Sequence, residues 1–263
     1  MKQYLQTSLA CLVAGASLQA NAAQPQPQHG AMEVPIARQY ACYKAQDYYW
    51  PEDGSKIKGD GCRAAYQHVF KKYDSDAVQA AYQFNQWHET SKNVMDYNNM
   101  EAVKAAIPDG QLCSAGNAPD KITVTALLTR IKSVLKGGIG VTTLVNDKSG
   151  LDQPANWTPY ELVKGADNKA DFRFKIMAPH NPSFWQFYVS KPGYDPTTQV
   201  LKWDDLELVH EEGNVQPVNG HYEMQVDLKE NTGRRVIYTR WQREDSAGEG
   251  FYNCSDVNIV SGK

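Results

Sequence analysis

The sequence lacks a basic excess: 27 Lys and Arg stand against 30 Asp and Glu, which leaves a formal charge of -3 at pH 7. A chain that neutralises phosphates needs a face rich in Lys and Arg, so this balance argues against nucleic acid as a partner. Beyond the first two dozen residues there is also no apolar run approaching the roughly 18 residues of a membrane-spanning helix, and no membrane partner is expected. No interdomain linker and no internal repeat interrupt the stretch from 29 to 263, so one domain is expected there. Cysteine is scarce, with five in the chain, and Cys11 lies in the apolar leader. Four remain outside it, Cys42, Cys62, Cys113 and Cys254, an even number suited to two disulfides in an oxidising compartment, with three pairings open.

What is present begins with a secretory pattern. Lys2, the apolar stretch SLACLVAGASL and the small-residue triplet Ala20-Asn21-Ala22 predict an exported, extracellular protein. Residues 1–28 then comprise a signal peptide and a Pro/Gln-rich spacer, AQPQPQ, ahead of His29. The point of cleavage matters chemically. A backbone amine is a metal ligand only when it is terminal, so His29 offers both amine and imidazole only if processing or trimming stops between Gln28 and His29.

Period-2 alternation marks several half-buried strands: Phe172, Phe174 and Ile176; Trp185, Phe187 and Val189; Tyr222, Met224, Val226 and Leu228; and Val236, Tyr238 and Arg240. Separated by Gly, Pro and Asn turns, they predict a mainly β protein built as a sandwich. Two helical signals interrupt the early chain. CRAAYQHVFKKY spaces Ala65, Val69 and Tyr73 by four, and after a cap expected at Asp74 or Ser75, DAVQAAYQFNQW continues with Val78, Ala81, Tyr82 and Trp87. They are expected to form an insertion between early strands. A third segment, VTALLTRIKSVLKGG, sets Val124, Leu127, Leu128, Ile131, Val134 and Leu135 on one helical face before Gly137 and Gly138, but its β-branched residues leave helix and strand both open.

Among six histidines, His68, His88, His210 and His221 read as solvated or hydrogen-bonded residues without a function. His180 differs, because Pro179 and Pro182 fix the turn APHNPSFWQF around it at the end of a sheet. At the other end of the chain, GEGFYNCSDV gathers Glu249, Phe251, Tyr252 and Cys254.

Five segments in this order, HGAMEVPIARQYAC at 29–42, IPDGQLCSAG at 107–116, APHNPSFWQFYVSKPGYDP at 178–196, WDDLEL at 203–208 and VIYTRWQREDSAGEGFYNCSDV at 236–257, carry a resemblance. Together they resemble the copper-dependent lytic polysaccharide monooxygenases of auxiliary-activity family 10, formerly called family 33 chitin-binding proteins. The resemblance implies an immunoglobulin-like or fibronectin-III-like sandwich and a histidine brace for one copper ion, in which His29 gives its amine and a ring nitrogen and His180 a second ring nitrogen. Three nitrogens with open positions suit copper. It further implies that Phe251 lies beside the axial position, that Glu249 is a nearby carboxylate handling oxygen, peroxide or a proton, that Ala178 crowds the other axial side, and that Trp241 is a buried aromatic behind the site. The disulfides it implies are Cys42 with Cys62 and Cys113 with Cys254.

The activity implied is oxidative. Copper cycles between Cu(II) and Cu(I) with an external electron donor, O2 or H2O2 is the co-substrate, and a carbon of a glycosidic link in an insoluble polysaccharide is hydroxylated. Chitin with attack at C1 is the leading expectation and cellulose the runner-up. The sequence offers no paired acid and nucleophile carboxylates of a hydrolase, and this chemistry needs none. Substrate contact is expected from the aromatics Tyr43, Tyr48, Tyr49 and Trp50, since three consecutive aromatics cannot all face one core. A monomer is expected. A non-catalytic chitin-binding or adhesion protein is the reading that follows if the spacer stays in front of His29. Against the family pattern, the stretch from Asn117 to Ala170 is longer than expected.

Overall fold

The computed structural model describes residues 29–120 and 144–262. The leader and spacer, the segment VTALLTRIKSVLKGG and the glycines at its end lie outside the described residues. Strand β1 (Gly30–Val34) is followed by helices α1 (Arg38–Ala45), α2 (Asp60–Lys72) and α3 (Ala77–Asn85), the short strand β2 (Ser91–Asn93) and helix α4 (Met100–Ala106). Then come β3 (Tyr160–Lys164), β4 (Lys169–Ile176), β5 (Ser183–Ser190), β6 (Leu206–Gly213), β7 (His221–Asp227), β8 (Gly233–Arg243) and β9 (Glu249–Ser261).

The strands form two sheets, a three-stranded one in the order β1-β4-β7 and a six-stranded one in which β2-β9-β8-β5-β6 are joined by β3 along β9. Burial explains their different sequence patterns. β4 and β7 alternate buried and exposed residues because the outer face of the small sheet meets solvent. β8 and β9 are buried nearly end to end, because the large sheet is covered on both faces. One covering is the small sheet, across a core of Phe172, Phe174, Trp185, Phe187, Tyr222, Trp241 and Phe251. The other is the helices and loops, which pack Cys42, Tyr66, Val69, Phe84 and Leu151 against Tyr188, Tyr238, Tyr252 and Cys254. At about 1.5–3 kcal/mol for each large apolar side chain removed from water, both interfaces contribute heavily to stability.

The two expected helices are α2 and α3, and they lie between β1 and β2 as an insertion. The cap is displaced from the expected Asp74 or Ser75. Both of those adopt left-handed backbone angles, φ 56° and 71°, to reverse the chain, and Asp76 caps α3 by accepting from Gln79 N at 2.9 Å. Both implied disulfides are present. Cys42–Cys62 closes the loop bearing the aromatic run, and Cys113–Cys254 ties the loop after α4 to β9.

Candidate metal centre

His29 directly precedes β1, and Gly30 explains how the chain turns inward there. A Cβ at Gly30 would stand 2.3 Å from both Lys175 O and the Phe174 ring, so only glycine fits. Three segments are stitched to this point by backbone hydrogen bonds. Met177 N and Ala178 N donate to His29 O at 2.8 and 3.4 Å, Gly30 N donates to His88 O at 3.0 Å, and Tyr252 N donates to Thr90 O at 2.9 Å. The turn carrying His180, the turn carrying His88 and Glu89, and the start of β9 therefore meet at one end of the sandwich.

The expected aromatics stand behind this end. Phe251 is fully buried with its ring 5.6 Å from that of His29, and Trp241 stacks behind Phe251 at 5.0 Å. Ala178 is buried at the turn. His180 is held by Tyr222, whose hydroxyl accepts from His180 N at 2.8 Å and donates to His180 O at 3.1 Å. Its Nε2 lies 3.3 Å from Asp245 Oδ2. Burial, and then the charge of Arg243, lowers the His180 pKa, against the opposing pull of Asp245 and Glu249. Glu249 itself accepts from Arg243 Nη1 at 2.5 Å, and the same guanidinium holds Asp245 at 2.5 Å.

The carboxylate that faces His29 is Glu89, at 3.3 Å from Nδ1, beside a His88 ring 5.5 Å away. Among the described residues the cluster with metal-ligand spacing is His29, His88 and Glu89, and His180 stands outside it. The adjacent His29 ring holds the Glu89 carboxyl below the ordinary range against the effect of burial, while burial lowers the His88 pKa. Beneath them Lys148, fully buried, donates from Nζ to Gln86 O at 2.9 Å, and burial pushes its pKa down to about 7. The expectation that His88 is a functionless solvated residue thus meets a different placement: it is half-buried against His29. Glu89 and Lys148 gave no signal in the sequence. A carboxylate just after a helix and a lysine in a loop are ordinary surface residues until the fold brings them inward.

The residues at this end fit a metal. His29 Nδ1 and His180 Nε2 are buried and make no hydrogen bond, although each faces a carboxylate oxygen at 3.3 Å. Buried imidazole nitrogens that make no hydrogen bond are costly unless something else occupies them.

Of the four aromatics expected on the substrate face, Tyr48 does not qualify. It is buried against Phe84, with its hydroxyl donating to Asn85 Oδ1 at 2.8 Å. Because Tyr48 fills the core, its neighbours turn outward, and Tyr49 and Trp50 are 54% and 79% exposed. Tyr43 is half-buried, its ring 5.9 Å from that of Trp87.

The chain matches, over residues 29–257, the family described as lytic polysaccharide mono-oxygenase, cellulose-degrading. It belongs to that family. Among its relatives, spindolin of Choristoneura biennis entomopoxvirus is 30% identical over 88% of this chain and 69% of its own length. The chitin-binding protein CbpD of Pseudomonas aeruginosa is 31% identical over 88% of this chain, which spans about half of that protein, 47%. In solved structures, an entomopoxvirus fusolin superposes with a TM-score of 0.72 at 30% identity, covering 89% of this chain and 77% of the other. The fold is accordingly the family's immunoglobulin-like sandwich. Lytic polysaccharide mono-oxygenases depend on copper, bind insoluble chitin or cellulose, and are secreted. No helix among the described residues is long and apolar enough to cross a membrane.

Proposed function

We propose that this chain is a secreted, copper-dependent monooxygenase that cleaves crystalline chitin oxidatively, with attack at C1. The observation carrying the reading is the pair of buried ring nitrogens, His29 Nδ1 and His180 Nε2, each 3.3 Å from a carboxylate oxygen but making no hydrogen bond, at the end of the sandwich where Phe251 packs. His29 and His180 would hold the metal, with the amine of His29 as third ligand once the preceding residues are removed. When bound, copper supplies one-electron chemistry, using an external donor and O2 or H2O2.

The remaining roles belong to the chain. Phe251 and Trp241 fill the space behind the ligands and exclude water from that side. Ala178, small and buried, donates its backbone N–H to His29 O and crowds the turn against His29. Glu89, kept ionised by its histidine neighbours, is positioned to hold or move a proton, and Glu249 acts on His180 from across the site. Tyr49 and Trp50 offer exposed faces for stacking on sugar rings.

Cellulose is the second reading, favoured by the description of the matching family, while the chitin-binding name of CbpD favours chitin. The test is a copper titration of the chain beginning at His29, followed by incubation with chitin or cellulose, a reductant and peroxide. Tight copper uptake, weakened at least about a hundredfold by His180→Ala, and release of oxidised chitin oligosaccharides are expected. A chain that begins at His29 yet takes up no copper leaves only a sugar-binding scaffold.

A further inference from the structure

We infer that His29, His88 and Glu89 form a second metal site, a two-histidine, one-carboxylate set for a divalent transition ion, which needs no free amine. It rests on the proposed brace only in sharing His29. One ring nitrogen from each histidine and one Glu89 oxygen lie within 4.8 Å of one another, with Glu89 Oε1 3.3 Å from His29 Nδ1 and 3.9 Å from His88 Nε2. A tetrahedral ion with bonds of about 2.0–2.1 Å holds its ligand atoms about 3.4 Å apart, so small ring rotations complete the set.

The scaffold fixes the backbones from which these side chains extend. The two histidine segments are bonded directly through Gly30 N and His88 O at 3.0 Å. Glu89 N closes a turn on Gln86 O at 3.1 Å, and the same carbonyl accepts from Lys148 Nζ, so the His88–Glu89 turn is anchored on both sides. Two imidazoles and a carboxylate with an open position suit Zn(II), and Cu(II) next.

Because an internal His29 suffices, the site operates while residues still precede His29. Metal is then held at this end before the amine exists, and freeing the amine lets His29 pass to the brace with His180. The two sites share a ligand and are mutually exclusive.

The test uses the chain purified with the residues before His29 attached and stripped of metal, titrated calorimetrically with zinc and separately with copper, with His88→Ala, Glu89→Gln and His180→Ala alongside. One zinc ion per chain is expected, bound about tenfold or more weakly after His88→Ala or Glu89→Gln and within about twofold of the parent after His180→Ala. Circular dichroism checks that each variant is folded, and His88→Gln stands in if His88→Ala is not. The cobalt-loaded parent is expected to give the visible absorption of a low-coordinate ion, lost in the His88 variant. No zinc uptake by the folded parent, or uptake that depends on His180 and ignores His88, overturns the inference. The brace is judged apart from this, on the chain that starts at His29.

Discussion

The two coverings of the large sheet differ in kind. Between the sheets the core is aromatic and aliphatic, with Phe174, Trp185, Tyr222 and Trp241 in mutual ring contact and Phe251 stacked on Trp241. On the helical side, charged and amide groups are buried among the apolar ones: Arg38 on Asp256 at 2.7 Å, Lys72 on Asp147 at 2.6 Å, Gln79 bonded in both directions to Val145, and Lys148 on Gln86 O. The sandwich holds Phe251 and the backbone of His29 and His180 in place. The helical flank supplies the ionisable groups near His29, namely His88, Glu89 and Lys148, while those near His180, Arg243, Asp245 and Glu249, come from β8, β9 and the turn between them.

The sharpest way to break this division is to untie the flank from the sheet. The Cys113–Cys254 bond spans 141 residues, and replacing both cysteines by Ala is expected to cost about 4–5 kcal/mol in urea unfolding. The same change at Cys42–Cys62, which spans 20, is expected to cost about 3 kcal/mol. Of comparable size is Tyr48→Ala, which opens a cavity beside Phe84 and is expected to cost about 3–5 kcal/mol.

A subtler probe is Lys148. Its buried ammonium releases its proton near pH 7, whereas the unfolded chain keeps that proton to above pH 10. Unfolding therefore takes up a proton between these values, and stability rises with pH there, by up to about 1.4 kcal/mol per unit. Urea titrations at pH 7 and 9 are expected to show the rise in the parent and its loss in Lys148→Met. An unchanged slope would mean that the lysine is hydrated. The smallest effect is Trp50→Ala, expected to leave stability within about 0.5 kcal/mol while reducing adsorption to insoluble chitin several-fold, the reverse of Tyr48→Ala.

The same division governs what the sequence discloses. β4, β5, β7 and β8 were legible because alternation reports a face, and each residue named for them is buried. α1 was not read as a helix: its buried residues are Arg38, Gln39, Tyr40 and Cys42, so no apolar stripe announces it. β2, three polar residues long, is defined only by its pairing with Glu249–Phe251. The resemblance drew attention to His29, His180 and Phe251 because their segments carry motifs. His88 stayed silent, since its place against His29 depends on one backbone bond to Gly30 that no local pattern encodes. In the run Asp47–Trp50, period alone could not say which ring turns inward.

Gly30 has a wider bearing. With Lys175 O and Phe174 crowding the place a side chain would take, a library randomised at position 30 would return glycine alone. Any attempt to graft this end of the sandwich onto another scaffold inherits the pair His29–Gly30, with no spelling to spare at its second place.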